Sequence, residues 1–512
     1  MDKHKVVGMI IGILAFVALV AGLTYAWYTW QSTNNTNVSF TVGGVDVTFD
    51  AGADITSSKL RPVSSKEVGV SKDYAIEKTI TVSSTMTSYL NLYLTLENLP
   101  DGLKEESFIW EIYKGNNLIN KGNFKNNNQG DKITIANSQK IISETSTYKL
   151  YIWIDGNMSN PETMQNQTFK FVLSADASDK EPSALTTLTK LGLSVSEGTP
   201  NFNKSAQSSC SEAETCETTN GIYEAEDDLG TTYYFRGAVE NNYVKFANYY
   251  WRIIRINGDG TIRMIYDGTS AHANGESSTD RQVSTIAFNT KTNDNAYVGY
   301  MYGTPSSSTY NATHANTNSS NIKNANDNWY KTNIVNKGYS SYVADAIYCS
   351  DRQVVFMPSF SFNGNGTGSQ QTAYGLYSRI KFSSEGMATN YNPTLKCAQA
   401  NDKFTTFSSL GNGDLTYPVG LLTVDEASMA GGDIVNMSAN DSYYLYNGQY
   451  YWTMSPRGFR NGYAYTWVVS NYGSFVAYPV NSSYRLRPVI SLRSDITFSG
   501  NGTMSYPFEI VV

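Results

Sequence analysis

The chain has 512 residues, a net charge of −7, 16% charged and 13% aromatic residues, with 38 tyrosines and 40 glycines. Its length suggests two or three domains, and the acidic balance argues against a nucleic-acid partner, which needs a concentrated basic face. Strand-favouring tyrosine mixed with turn-forming glycine, asparagine and serine argues against a helical bundle and for β-structure with many loops.

Lys3 and Lys5 precede an uncharged apolar run from Val6 to Leu23. A basic flank stays cytoplasmic, so everything after Tyr25 is expected to face outward. The run is intermediate in length between a signal-peptide core and a spanning helix. Residues 1–30 are therefore read as a signal peptide or membrane anchor, with Tyr25, Trp27, Tyr28 and Trp30 suited to the membrane–water interface. The expected location is the cell surface, membrane-anchored or secreted.

From Val38 apolar and polar residues alternate, with Gly43-Gly44 as a turn between Val38–Val42 and Val45–Phe49. Further strands are predicted at Ile76–Ser83, Tyr89–Leu96, Phe108–Tyr113, Lys132–Ile135, Tyr148–Ile154 and Thr168–Ala175. Short alternating strands at this spacing imply a β-sandwich over 35–177, with Leu92, Leu94, Leu96, Trp110 and Trp153 in its core. Residues 178–220 are polar and are read as a linker holding at most one short helix or strand. From Gly221 the pattern is α+β. Asn257-Gly258-Asp259-Gly260 forms a hairpin turn, lacking the acidic positions of a calcium loop. A helix is predicted over Asn321–Lys337, and a short one near Asp425-Glu426 after a strand Val419–Thr423. The C-terminal third is a meander through Tyr450–Met454, Ala464–Ser470, Gly473–Val480 and Arg485–Ser491.

Four cysteines allow three pairings; chain proximity favours Cys210 with Cys216 and Cys349 with Cys397, oxidised outside the cytoplasm. Of three histidines, His4 lies in the membrane flank, while His272 and His314 sit in polar, loop-like sequence with no metal-ligand spacing. No nucleophile elbow, phosphate loop or dinucleotide fingerprint is present, so no catalytic residue, metal or cofactor is assigned and the chain is not read as an enzyme.

One dense cluster remains between Tyr443 and Tyr484, where ten tyrosines mix with Trp452, Trp467, asparagine and serine. Tyrosine and tryptophan give large rigid contact area at small entropic cost. Strand alternation puts Trp452 and Trp467 in the core and leaves Tyr463, Tyr465, Tyr472, Tyr478 and Tyr484 as candidate ligand-binding residues for a protein or glycan. Arg485 and Arg487 are expected to share a face opposite Leu486, with Arg487 held extended before Pro488 as a fixed structural donor.

The leader segment Val20-Ala21-Gly22-Leu23-Thr24-Tyr25-Ala26-Trp27, the strand Val38–Val42 and the pair Tyr148–Gly156 and Phe169–Ala175 resemble the TasA/camelysin group of exported Gram-positive proteins. That resemblance implies a jelly-roll-like sandwich and, in some members, self-assembly into extracellular fibres. Tyr233–Gly237, Trp251–Gly258, Cys349–Arg352 and Tyr417–Leu421 resemble uncharacterised surface proteins of gut Firmicutes. Together with Tyr451–Pro456 and Arg485–Leu492, they are similar to the C-type-lectin-like fold of the formylglycine-generating enzymes. The enzyme's paired cysteines and the calcium motifs of sugar-binding lectins have no counterpart here. The same fold hosts retroelement-diversified receptors, whose variable patch lies where the tyrosine cluster falls. The expected function is a surface binding protein or adhesin, alternatively a fibre subunit or a diversified receptor.

Overall fold

The computed structural model describes residues 28–31, 38–42 and 45–50. It also describes 60–511 apart from 86, 126, 143–144, 158–163, 165–166, 179–182, 211–215, 358–360, 380–390, 409 and 433–439. The predicted membrane helix lies outside these residues. Among the described residues no helix is long and apolar enough to cross a membrane. The chain is mainly β and divides into two compact units, residues 1–181 and 182–512.

In the first unit the alternation of each strand turns one side inward. Ile76–Ser84 buries Ile76, Ile80 and Val82, and Ser88–Asn98 buries Leu90, Leu92, Leu94 and Leu96 in the same core. These strands belong to different sheets. One runs Tyr28–Gln31, Lys170–Ser178, Ser88–Asn98, Lys132–Ile141; the other runs Val38–Val42, Val45–Asp50, Ile76–Ser84, Thr145–Asp155, Phe108–Lys114, Asn117–Asn123. Two sheets sharing one apolar core fit the sandwich expectation. Two details differ from the sequence reading. Tyr28 and Trp30 belong to a strand paired with Ser174–Ala177, not to an interfacial flank. Trp153 packs with Val63 and Ala75 in a small separate cluster.

The second unit begins well before Gly221, and the linker reading of 178–220 is corrected accordingly. Ser183 caps a short helix, Ala184–Lys190, by accepting from Thr186 N. Ala184, Leu188 and Leu191 enter the main core of the unit. The helix docks on the predicted hairpin turn, where Thr187 Oγ1 donates to Gly260 O at 2.7 Å. Gly260 has φ +84°, and a Cβ there would come within 2.9 Å of Ser183 O, so the turn and the docked helix both require glycine. Further on, buried Arg236 reaches back to Lys204 O, Glu217 Oε1 and Thr219 Oγ1. The stretch reads as polar because its apolar residues are few and several of its polar groups serve an arginine distant in sequence.

Two large sheets build most of the rest, beside three two-stranded pairs among the described residues. The larger runs Val343–Ala344, Val489–Leu492, Ile262–Gly268, Tyr249–Ile256, Tyr243–Phe246, Phe508–Ile510, Phe498–Ser499, with the hairpin Gly221–Asp227/Gly230–Arg236 joined to Tyr249–Ile256. The other runs Ser284–Ala287, Ser483–Leu486, Tyr451–Arg460, Thr372–Tyr374, Val354–Val355, and Tyr463–Val469 and Phe475–Pro479 extend it from Tyr451–Arg460. The predicted helix is found at Asn321–Asn333, followed by a 3-10 turn at Val335–Lys337. The second helix is Val424–Met429, started by a capping box between Thr423 and Glu426. The predicted strand Val419–Thr423 reduces to a single bridge, Gly420 to Val489. The cysteines join Cys210 to Cys216 and Cys349 to Cys397, which fits an oxidising compartment.

Candidate functional site

The tyrosine cluster is laid out by one hairpin and the strand after it. Asn461 and Gly462, with φ +52° and +83°, give the doubly positive turn that matches strand twist and join Tyr451–Arg460 to Tyr463–Val469. Residues directly opposite in an antiparallel pair share a face. Gly458 opposes Tyr465, Arg460 opposes Tyr463, Tyr465 opposes Pro479 and Thr466 opposes Tyr478. Tyr463 and Tyr465 therefore lie on one face and Tyr478 on the other. The five candidate tyrosines do not form a single surface.

On the Tyr478 side three half-buried rings pack together. Tyr450 stacks on Tyr484 at 5.2 Å, Tyr478 tilts against Tyr484 at 4.7 Å, and Tyr450 and Tyr478 lie 5.9 Å apart. Tyr484 also meets Trp452 edge-on at 5.3 Å. Trp452 is fully buried, with Nε1 donating to Ile286 O at 2.9 Å. The partly exposed stack thus stands on a fixed core ring. Burial and the neighbouring phenols push the hydroxyls of Tyr450 and Tyr484 above their usual range, so they stay protonated donors at neutral pH. Tyr472, 52% exposed, lies in the turn between Tyr463–Val469 and Phe475–Pro479.

Other members of the cluster belong to the interior. Tyr443, Tyr444 and Tyr451 are fully buried, and Trp467 is 2% exposed; Tyr443 and Tyr451 donate to Gly473 O and Leu445 O. Arg487 is buried between two sheets, because Ser483–Leu486 pairs in one and Val489–Leu492 in the other. Its Nε donates to Tyr266 O, Nη1 to Leu445 O and Nη2 to Asp267 at 2.8 Å. Arg485 stays half-buried on its strand. The expected shared face of the two arginines is not found, because the chain changes sheets between them.

Sequence reasoning missed a small charged cleft in this unit, with Asp227, Arg255, Arg263, Asp351, Arg379 and Glu426 among its lining. The charges there largely satisfy one another. Arg255 pairs with Asp227 and Glu426, Arg263 with Glu426, and Arg379 bridges Asp351 and Asp425. These partners lie far apart in sequence, so no spacing announces them.

The two loop histidines are both enclosed. His272 Nδ1 lies 2.7 Å from Glu276 and Nε2 2.9 Å from Asp280. Partial burial works against the Asp280 charge, but bonds from Ser278 and His272 overcome it and hold the carboxyl well below its usual range. His314 is fully buried beside Tyr310 and Tyr374, with Nε2 donating to Gly366 O at 3.0 Å. Burial, helped by the charge of Arg352, pushes its pKa down to about 3. Below about 6.5 the unfolded chain binds a proton here that the folded chain refuses. The His314 contribution is thus fully present above that pH and lost as pH falls. At 1.36 kcal/mol per unit, about 3 kcal/mol is lost by pH 4. Urea unfolding of the wild type and His314→Gln at both pH values will read it as a smaller acid loss in the variant.

No family model matches the sequence, and no curated protein sequence does either. Among solved structures, the secreted serine protease VesC from Vibrio cholerae aligns at 10% identity and a TM-score of 0.13, over 32% of this chain and 25% of that one. The alignment spans about a quarter of the protease, and a likeness of that size carries no argument about fold or activity.

Proposed function

We propose that the chain is a cell-surface binding protein that takes a protein or glycan ligand on the patch formed by Tyr450, Tyr478 and Tyr484. In this reading the apolar N-terminal run holds the chain to the membrane, or is removed on export. A jelly-roll-like sandwich follows that run in the chain, and the C-type-lectin-like second unit displays the ligand face. The carrying observation is the half-buried stack of three tyrosines founded on buried Trp452. Such a stack offers apolar ring surface already ordered before binding, so little rotamer entropy is lost on contact. Its phenols supply hydrogen bonds at the rim. The two disulfides suit life outside the cytoplasm.

The full chain in neutral detergent, applied to a glycan array and to intact host and bacterial cells, is expected to bind a restricted set of surfaces. A Tyr478→Ala/Tyr484→Ala double variant should lose that binding by about tenfold or more. Absence of binding to every surface would sink the proposal.

A further inference from the structure

We propose that the opposite face of the same hairpin is a second binding site, for an acidic glycan, with Arg457 and Arg460 receiving its carboxylate or sulfate groups. Phe459 and Ala464, an opposed pair, point into the core at 1% and 0% exposure. Their neighbours Arg460 and Tyr463, and Gly458 and Tyr465, therefore face the other way. Tyr463 is 46% exposed there. The close approach of Thr372 depends on Gly458, where a Cβ would come within 2.3 Å of Thr372 O.

Both guanidinium groups lie over aromatic rings. Arg457 lies over Tyr377 at 5.2 Å and over Tyr465 at 5.4 Å, and Arg460 lies over Phe362 at 5.8 Å. The floor is rigid, since Phe362, Ala373 and Tyr377 form a small buried cluster flanked by Val355 and Met357. A cation over a ring face is held by the ring without using up its N–H donors. Among the described residues neither arginine forms a side-chain hydrogen bond or ion pair. By contrast, Arg255, Arg263, Arg281, Arg352, Arg379 and Arg487 each hold a carboxylate. In a chain of net charge −7, this face carries two positioned cations with no counter-ion.

The missing counter-charge is an external one, and the fork of each guanidinium fits a carboxylate or sulfate. The exposed ring of Tyr463, directly opposite Arg460, supplies a platform for a sugar ring beside that charge. An added peptide strand finds no free edge, because Tyr451–Arg460 is already paired with Thr372–Tyr374 on one side and Tyr463–Val469 on the other. Two arginines are too few for a nucleic-acid face. The site lies across the sheet from Tyr478 and does not depend on the tyrosine patch.

The test is interferometry of the full chain in neutral detergent against polygalacturonate, dextran sulfate, neutral dextran and poly-glutamate. Binding to at least one acidic polysaccharide is expected, with none to dextran, and it should weaken as salt is raised. Arg457→Gln/Arg460→Gln should reduce it at least about tenfold, and Tyr463→Ala several-fold. Preference for polygalacturonate would identify carboxylate as the recognised group, and preference for dextran sulfate would identify sulfate. Near-UV dichroism checks the fold. If the double variant fails to fold, Arg460→Lys, which keeps the charge but loses the planar fork, serves in its place and should also weaken binding. Acidic polysaccharides binding no better than dextran would overturn the proposal. So would unchanged binding by the folded variants, or poly-glutamate binding equally well.

Discussion

Replacing Asp267 with alanine is expected to unfold the second unit at physiological temperature while leaving the first unit intact. Asp267 is fully buried and is the carboxylate partner of both Arg281 and Arg487, each at 2.8 Å and each essentially unexposed. Removing one partner of a buried pair costs about 3–5 kcal/mol, because the remaining charge stays desolvated without compensation. Here two guanidinium groups would be stranded together, close to the place where the chain crosses between sheets. The loss is comparable to the lower end of a domain's total stability, about 5 kcal/mol. Differential calorimetry should show one transition lost or moved far down and the other unchanged. Asp267→Asn, similar in shape but uncharged, should behave nearly as badly. A shift within about 1 kcal/mol for either variant would mean that the arginines find other compensation.

The second large effect is expected from the tryptophans. Trp452→Ala and Trp467→Ala should each cost about 3–5 kcal/mol, as buried aromatic truncations do. Trp452 carries the further consequence that Tyr484 loses the ring it stands on. Tyr463→Ala and Tyr472→Ala remove rings about half exposed and should stay within about 1 kcal/mol. Tyr465 is only partly exposed and lies under Arg457, so its loss should fall between these limits. Urea midpoints for the five variants would rank them, and tyrosine variants melting as early as the tryptophan ones would place the whole cluster in the core.

The features legible in the sequence were those whose causes are local, although Thr423, read as the end of a strand, is the N-cap of the helix expected near Asp425. The turn at Asn257–Gly260, the helix Asn321–Asn333 and the short helix near Asp425 are each written within a few residues. Strand alternation likewise marked Leu92, Leu94 and Leu96 as core. What escaped depends on pairing between distant segments. Arg236 draws Glu217 and Thr219 into the second unit, so a polar stretch that reads as a linker is part of a fold. Alternation puts Tyr463 and Tyr465 on one face. Only the register of Thr466 with Tyr478 reveals that Tyr465 and Tyr478 occupy different surfaces. Arg485 and Arg487 look like one strand because nothing local announces the change of sheet before Pro488. Tyr450, absent from the sequence-derived candidates, joins the site only through its stacking on Tyr484.

The central claim is that Tyr450, Tyr478 and Tyr484 form a ligand surface and not simply an edge of the core. The most direct measurement is cell and glycan binding by the full chain carrying Tyr478→Phe, Tyr478→Ala or Tyr484→Ala, each with its melting temperature determined in parallel. The account predicts binding lost by about tenfold in the alanine variants, with melting lowered far less than by Trp452→Ala. Tyr478→Phe should keep the ring contact and lose only the part of the affinity due to the hydroxyl. Binding that survives both alanine substitutions, in protein that remains folded, would contradict it.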